Sequence, residues 1–202
     1  MPRQQDTRAH ARDEFARRLA DSGYLGVSLD DIAKAVDVRK ASLYHHFPGG
    51  KPALFMEVAH HYIKEASALL KDALDTPGTL RDKLLALAAS YAQGTYNSAL
   101  SNQIFYGTRH LDETQRTEVS RSYVHALIQP VTDLMAQAVG TGELRQADPG
   151  FLATAFMELA ATVHPVPEDL ATPPDHVTSP TTDRLARDVV DLFLRGAAPE
   201  AR

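Results

Sequence analysis

Cysteine is absent from the chain. That excludes a disulfide framework, a thiolate nucleophile, a thiol redox switch and any cysteine-ligated zinc site. Long apolar runs are absent too, since no stretch approaches the roughly eighteen apolar residues that span a bilayer. The stretch from Met1 to Asp21 is charged and helix-patterned, unlike a basic stub followed by an apolar segment. A cytoplasmic location with no membrane partner is therefore expected. Strand-type alternation is missing, and so are a G-x-S-x-G elbow, a P-loop and a dinucleotide fingerprint, which leaves nucleotide-using enzymes and serine hydrolases without support.

With 202 residues, 44% of them hydrophobic, the chain has enough apolar surface to bury a real core. Its net charge of −5 argues against indiscriminate binding to nucleic acid, but the charge is uneven. Met1 to Pro52 holds nine Lys and Arg against seven Asp and Glu; the remainder holds twelve against nineteen. The first quarter is the part fitted to face phosphate.

Helical periodicity recurs along the whole length, predicting an all-α chain of about nine helices. Ala11, Phe15 and Leu19 repeat every four residues in a first helix from Asp6 to Ser22, with Gly23 as its stop. Ser28 and Asp31 make a capping-box-like start for a second helix, where Leu29, Ile32, Ala33 and Val36 share one face. A third runs from Arg39 to Phe47, with Leu43 and Phe47 on one side and Arg39, Lys40, Ser42, Tyr44 and His46 on the others. Later helices are expected at 52–75, 79–98, 102–109, 112–139, 149–163 and 181–196. Pro130 should bend the seventh, because it lacks an amide donor and crowds the carbonyl of Ala126. His164 to Pro180 carries five prolines and reads as an extended loop.

Two short amphipathic helices joined by a tight turn, the second rich in Arg, Lys, Ser, Tyr and His, have the layout of a helix-turn-helix. The pattern alone also fits two ordinary surface helices. Nine histidines raise a metal-dependent enzyme as an alternative, and Glu57 with His61 beside His60 is the densest local set. That set lacks the H-E-x-x-H order and has no second cluster at ligand spacing, so no metal, cofactor or catalytic residue is expected. A helix-turn-helix adaptor that does not bind DNA is the other alternative, separable by a mobility shift.

The string SLDDIAKAVDVRKASLYHHFPGGKPALF, Ser28 to Phe55, strongly resembles the DNA-binding domain of the TetR family. GELRQADPGFLA (Gly142 to Ala153) and VDLFLRGA (Val190 to Ala197) resemble weaker signatures of that family's last two helices. The resemblance implies a helix-turn-helix domain over 1–52 and a ligand-sensing and dimerisation domain over 53–202. It further implies a homodimer whose partners are operator DNA and a small-molecule effector, most simply a repressor released by that effector. Three departures stand out. Asp37 replaces the usual turn glycine, and Asp is among the few residues that tolerate positive φ. Arg39 replaces the usual Ser or Thr cap and offers no capping oxygen. The FPGGK loop has one residue more than the common form and resembles a drug- and flavonoid-responsive branch.

Carried onto this chain, the family's DNA contacts fall on Ser28, Arg39, Lys40, Ala41, Ser42, Tyr44, His45, His46 and Lys51. Arg39 and Lys40 have the reach and donors for guanine O6 and N7; Ser42 suits a base edge or a phosphate. Tyr44, His46 and Lys51 suit the backbone. Arg3 and Arg8 read as a solvated tail rather than groove contacts. Effector contacts are expected among Tyr91, Tyr96, Phe105, Tyr106, His110, Met135, Phe156 and Met157, which mix apolar bulk with polar tips. The dimer face is expected on Leu152, Phe156, Leu159, Leu185, Val189, Leu192 and Phe193 of the last two helices.

Overall fold

The computed structural model describes residues 4–91, 98–163 and 181–198, and among these every regular element is helical. The first helix, α1 (Gln4–Gly26), buries Ala11, Phe15 and Leu19 on one stripe. Gly23 interrupts it with φ 68 and ψ 174, so the glycine breaks the helix as its position suggests, and the chain then resumes helical form to Gly26. A short α2 (Leu29–Ala35) follows, with the Ser28 hydroxyl accepting from the Asp30 amide at 3.2 Å. The turn into α3 (Lys40–His46) passes through Asp37 at φ 53, the sole non-glycine residue with positive φ among the described residues. The substitution of Asp for Gly is accommodated as its short polar side chain allows.

Next is α4 (Gly50–Leu74), which buries Leu54, Phe55, Val58, Ala59, Tyr62, Ile63, Ala66, Leu70 and Ala73 along its length. Then come α5 (Leu80–Tyr91), α6 (Ser98–Gly107), a 3-10 turn at Thr108–His110, α7 (Glu113–Tyr123), α8 (Gln129–Thr141), α9 (Pro149–Ala160) and α10 (Thr182–Ala197). The starts of α5, α7 and α9 are capped by side chains. Thr79 and Asp82 bond reciprocally at the head of α5, Asp112 accepts from the Gln115 amide, and Asp148 accepts from the Phe151 amide. The single seventh helix expected around Pro130 is instead α7 and α8 joined by a π turn at Val124–Ile128. The wider turn sits just before the proline, where the regular bonding ladder has lost a donor.

Contacts divide the chain into two units, one made of 1–65 and 97–124, the other of 66–96 and 125–202. The expected boundary at 52/53 falls within α4. In the first unit α6 lies along α1, which also packs on α2 and α3. Gly107 lets α6 come close to Phe55 of α4, because a Cβ there would stand 2.5 Å from the Phe55 ring. In the second unit α10 packs on α5 and α9, and α8 packs on α9. The Arg145 amide donates to the Ala197 carbonyl at 2.9 Å, tying the segment after α8 to the end of α10. The segment 164–180, read from sequence as a loop, lies outside the described residues.

Candidate nucleic-acid interface

Two side chains anchor α3: Leu43 is 1% exposed and Phe47, just past its end, 2%. With that face turned inward, Arg39, Lys40, Ala41, Tyr44 and His45 are exposed, while Ser42 and His46 are half-buried. The exposed positions run along one side of a seven-residue helix whose start has no side-chain cap, as the Arg39 replacement implies. A recognition helix needs this division between an apolar anchor and a polar outer row.

Several of the outward groups have partners that the sequence does not signal. The Lys40 ammonium sits 2.8 Å and 3.1 Å from the two carboxylate oxygens of Asp30 on α2. The carboxylate raises the lysine's pKa, first through the hydrogen bond and then through its charge. Both groups are half exposed, so solvent screens the pair and a phosphate or base edge can take the lysine over. Arg8, read as part of a loose tail, is held instead. Its Nε donates to both carboxylate oxygens of Glu57 at 2.9 Å, and its guanidinium lies 5.3 Å from the Phe47 ring centre. Glu57 is thereby committed to Arg8, and His60 faces Glu118 at 3.3 Å. The histidine-rich stretch on α4 thus supplies structural pairs, and no group of three His, Asp or Glu suited to a metal occurs among the described residues.

The loop from α3 to α4 turns on two glycines. Gly50 takes φ 65 and donates its amide to the Phe47 carbonyl at 2.8 Å; a Cβ on Gly49 would stand 3.0 Å from that of Ala53. This turn delivers Lys51 to the start of α4, where its ammonium lies 4.4 Å from the centre of the Tyr24 ring. Partial burial pushes the lysine's pKa down. Ser28 is half-buried and acts as the cap of α2.

Comparison with known proteins agrees with this geometry. Residues 13–58 match the family described as bacterial regulatory proteins, tetR family, and residues 111–196 match the AefR-like transcriptional repressor, C-terminal domain. The chain belongs to the TetR family. Over 39 residues it is 56% identical to the biofilm operon icaADBC HTH-type negative transcriptional regulator IcaR of Staphylococcus aureus (strain Newman). That match spans 19% of this chain and 21% of the regulator. Among solved structures, the TetR family regulator PfmR from Thermus thermophilus superposes with a TM-score of 0.71 at 22% identity, covering 92% of this chain and 97% of that one. AibR, solved in complex with isovaleryl coenzyme A and operator DNA, superposes with a TM-score of 0.72 at 21% identity and the same coverage. The last two likenesses establish the TetR fold.

Outside the helix-turn-helix, the expected effector and dimer residues fall in differing environments. Of the expected effector contacts, Phe105 and Tyr106 are 71% and 54% exposed. The reason is that α6 turns Ile104 and Gly107 inward, which rotates its aromatic pair to solvent. His110 is also exposed and stacks on Tyr24, in the same unit as α3. Tyr91, Met135, Phe156 and the half-buried Met157 belong to the other unit, and Tyr96 lies outside the described residues. Of the expected set, Phe105, Tyr106 and His110 thus belong to one unit and Tyr91, Met135, Phe156 and Met157 to the other. An open groove of about 490 Å³ on α7, lined by Glu113, Thr114, Thr117, Glu118, Arg121 and Ser122, contains none of them.

The expected dimer face divides differently. Leu152, Phe156, Val189 and Phe193 are buried within the single chain, and the rings of Phe156 and Phe193 meet edge to face at 5.1 Å. They form the core between α9 and α10. What those helices leave outward is Phe151, 60% exposed, and Leu192, 62% exposed, with Leu159 and Leu185 half-buried. Phe151, at the first turn of α9, lies off the stripe of Leu152 and Phe156. Tyr24 and Asp30 were missed as partners of Lys51 and Lys40, and Glu57 as the partner of Arg8; contacts between residues far apart in sequence carry no local signal.

Proposed function

We propose that this protein is a homodimeric, ligand-responsive transcriptional regulator acting in the cytoplasm, a repressor released from a palindromic operator by a small molecule. The observation that carries the reading is α3: two buried anchors, with Arg39, Lys40, Ala41, Tyr44 and His45 exposed along its outer side. Arg39 and Lys40 reach base edges in the major groove, Ser42 a base edge or phosphate, and Tyr44, His45, His46 and Lys51 the backbone. The activity is binding, with no catalytic step.

Two-fold pairing is assigned to Phe151, Leu159, Leu185 and Leu192, because exposed apolar side chains on adjacent helices favour a self-complementary partner. Effector contact is assigned to the unit holding Tyr91, Met135, Phe156 and Met157. AibR, a structural neighbour, was solved with both a coenzyme A thioester and operator DNA, which supports a two-ligand reading here. An effector releases DNA only through its differential affinity for the two states, and operator DNA then weakens effector binding by the same factor. Since α4 is covalently continuous from Gly50 to Leu74, it is the natural carrier of that coupling.

The test is selection of duplexes from a random pool by the purified protein, followed by affinity measurement at several salt concentrations. The expected product is a palindrome with half-sites about one helical turn, or a multiple of it, apart. Arg39→Ala should then relax preference at particular base pairs by about 1–3 kcal/mol. Failure to enrich any sequence over non-specific binding would overturn the proposal in favour of an adaptor.

A further inference from the structure

Resting on that reading, we propose that Tyr24 is a positioning residue for Lys51, holding its ammonium in place for a DNA phosphate. Three segments meet at this ring. Tyr24 follows the Gly23 break near the end of α1, Lys51 opens α4, and His110 closes the 3-10 turn after α6. The lysine ammonium lies 4.4 Å from the ring centre, well inside the range over which a cation is attracted to an aromatic face. His110 stacks on the ring at 4.9 Å and 9°, and Phe55 meets its edge at 5.3 Å and 82°. Packing against these two rings restrains Tyr24, so it offers the lysine a seat.

The arrangement has a definite consequence for binding. A lysine stem is flexible, and ordering it on contact with phosphate costs conformational entropy. Seating the ammonium beforehand reduces that cost. Burial alone disfavours the charged form of Lys51, and the ring quadrupole opposes that tendency without neutralising the charge, as a carboxylate partner would. Lys40, in contrast, is paired with Asp30 and must exchange that partner on binding. The seat needs the aromatic face and not the phenol, so Phe should replace Tyr24 and an aliphatic side chain should not.

The experiment measures affinity for the selected operator against salt, using full-length wild type, Tyr24→Phe, Tyr24→Leu, Lys51→Ala and the Tyr24→Leu/Lys51→Ala double variant. Lys51→Ala should lower the salt slope by about one. Tyr24→Leu should show the same reduction, the double variant no further one, and Tyr24→Phe none. A wild-type slope in Tyr24→Leu beside a reduced slope in Lys51→Ala overturns the positioning role, as does a further loss in the double variant. An unchanged slope in Lys51→Ala overturns it as well, yet leaves the recognition-helix reading to stand or fall on Arg39→Ala. One measurement needs no variant: proton NMR of the free protein should show the Lys51 ε-methylene shifted upfield by the ring. An unshifted ε-methylene overturns the proposal even if Tyr24→Leu fails to fold.

Discussion

The recognition helix α3 buries Leu43 and Phe47 and leaves Arg39, Lys40, Ala41, Tyr44 and His45 outside. By contrast, α9 and α10 bury Leu152, Phe156, Val189 and Phe193 and still leave Phe151 and Leu192 outside. In α3 the large aliphatic and phenyl side chains are all spent on the anchor, and what remains outside, apart from Ala41 and the Tyr44 ring, is polar and turned to solvent. In the C-terminal pair the apolar residues exceed what one inner face can take. A leucine carries no mark of whether its neighbour belongs to the same chain or to another, so residue type separates anchor from working surface in α3 and fails to in α10.

The largest expected effect tests that contrast inside α10, where Leu192 and Phe193 are adjacent in sequence and opposite in environment. Phe193→Ala should destabilise the fold by about 3–5 kcal/mol, as removal of a buried aromatic side chain does. Leu192→Asp, on the exposed side, should leave the urea midpoint of the isolated subunit nearly unchanged and convert the dimer to monomer in sedimentation. Equal loss of stability in both variants would abolish the distinction drawn between core and interface. Retention of the dimer by Leu192→Asp would move the pairing surface elsewhere.

A middle pair of effects concerns glycines on the DNA-binding side. Gly107→Ala should cost about 1–3 kcal/mol, because the new methyl would meet the fully buried Phe55 ring at 2.5 Å. Gly50→Ala should cost about 1–2 kcal/mol, because the position holds φ 65. The two differ in what they disturb. Gly107→Ala should lower the melting temperature with little change in operator affinity per folded molecule. Gly50→Ala should also weaken DNA binding, since it sets the turn that delivers Lys51. Equal and unchanged DNA affinity in both would show that the loop is not part of the interface.

What the sequence made legible follows the same line. The helix-turn-helix was readable because its signals are local: the Ser28 cap, the four-residue spacing of Leu43 and Phe47, and an Asp tolerated at φ 53 in the turn. The nine-helix plan was readable for the same reason, apart from the π turn beside Pro130, where the proline announces trouble without saying how it is resolved. The pairs Arg8 with Glu57 and Lys40 with Asp30, and the contact of Lys51 with Tyr24, were not readable, because they depend on how α1, α2, α3 and α4 come together. The exposure of Phe105 and Tyr106 was not readable either, because an aromatic pair on a ten-residue helix shows which side is large but not which side is inward.

The smallest expected effect lies at the half-buried Glu14 of α1, which pairs with two arginines of the same helix. Glu14 accepts from Arg17 at 2.8 Å and from Arg18 at 2.5 Å. The hydrogen bond from Arg17 is the leading cause of a carboxyl pKa lowered to about 2 from 4.5, with Arg18 reinforcing it against the opposing effect of burial. A depressed folded-state pKa means that the pairing stabilises the fold above the unfolded value and loses that contribution as pH falls from about 4.5 toward about 2. Arg17 is 58% exposed, so solvent screens the interaction and the contribution is small. Glu14→Gln should therefore lower the melting temperature at pH 7 by no more than about a degree or two. The difference from wild type should vanish once the pH is low enough to protonate Glu14 in both states. A difference that persists undiminished at pH 2 would show that Glu14 acts through packing against α1 rather than through its charge.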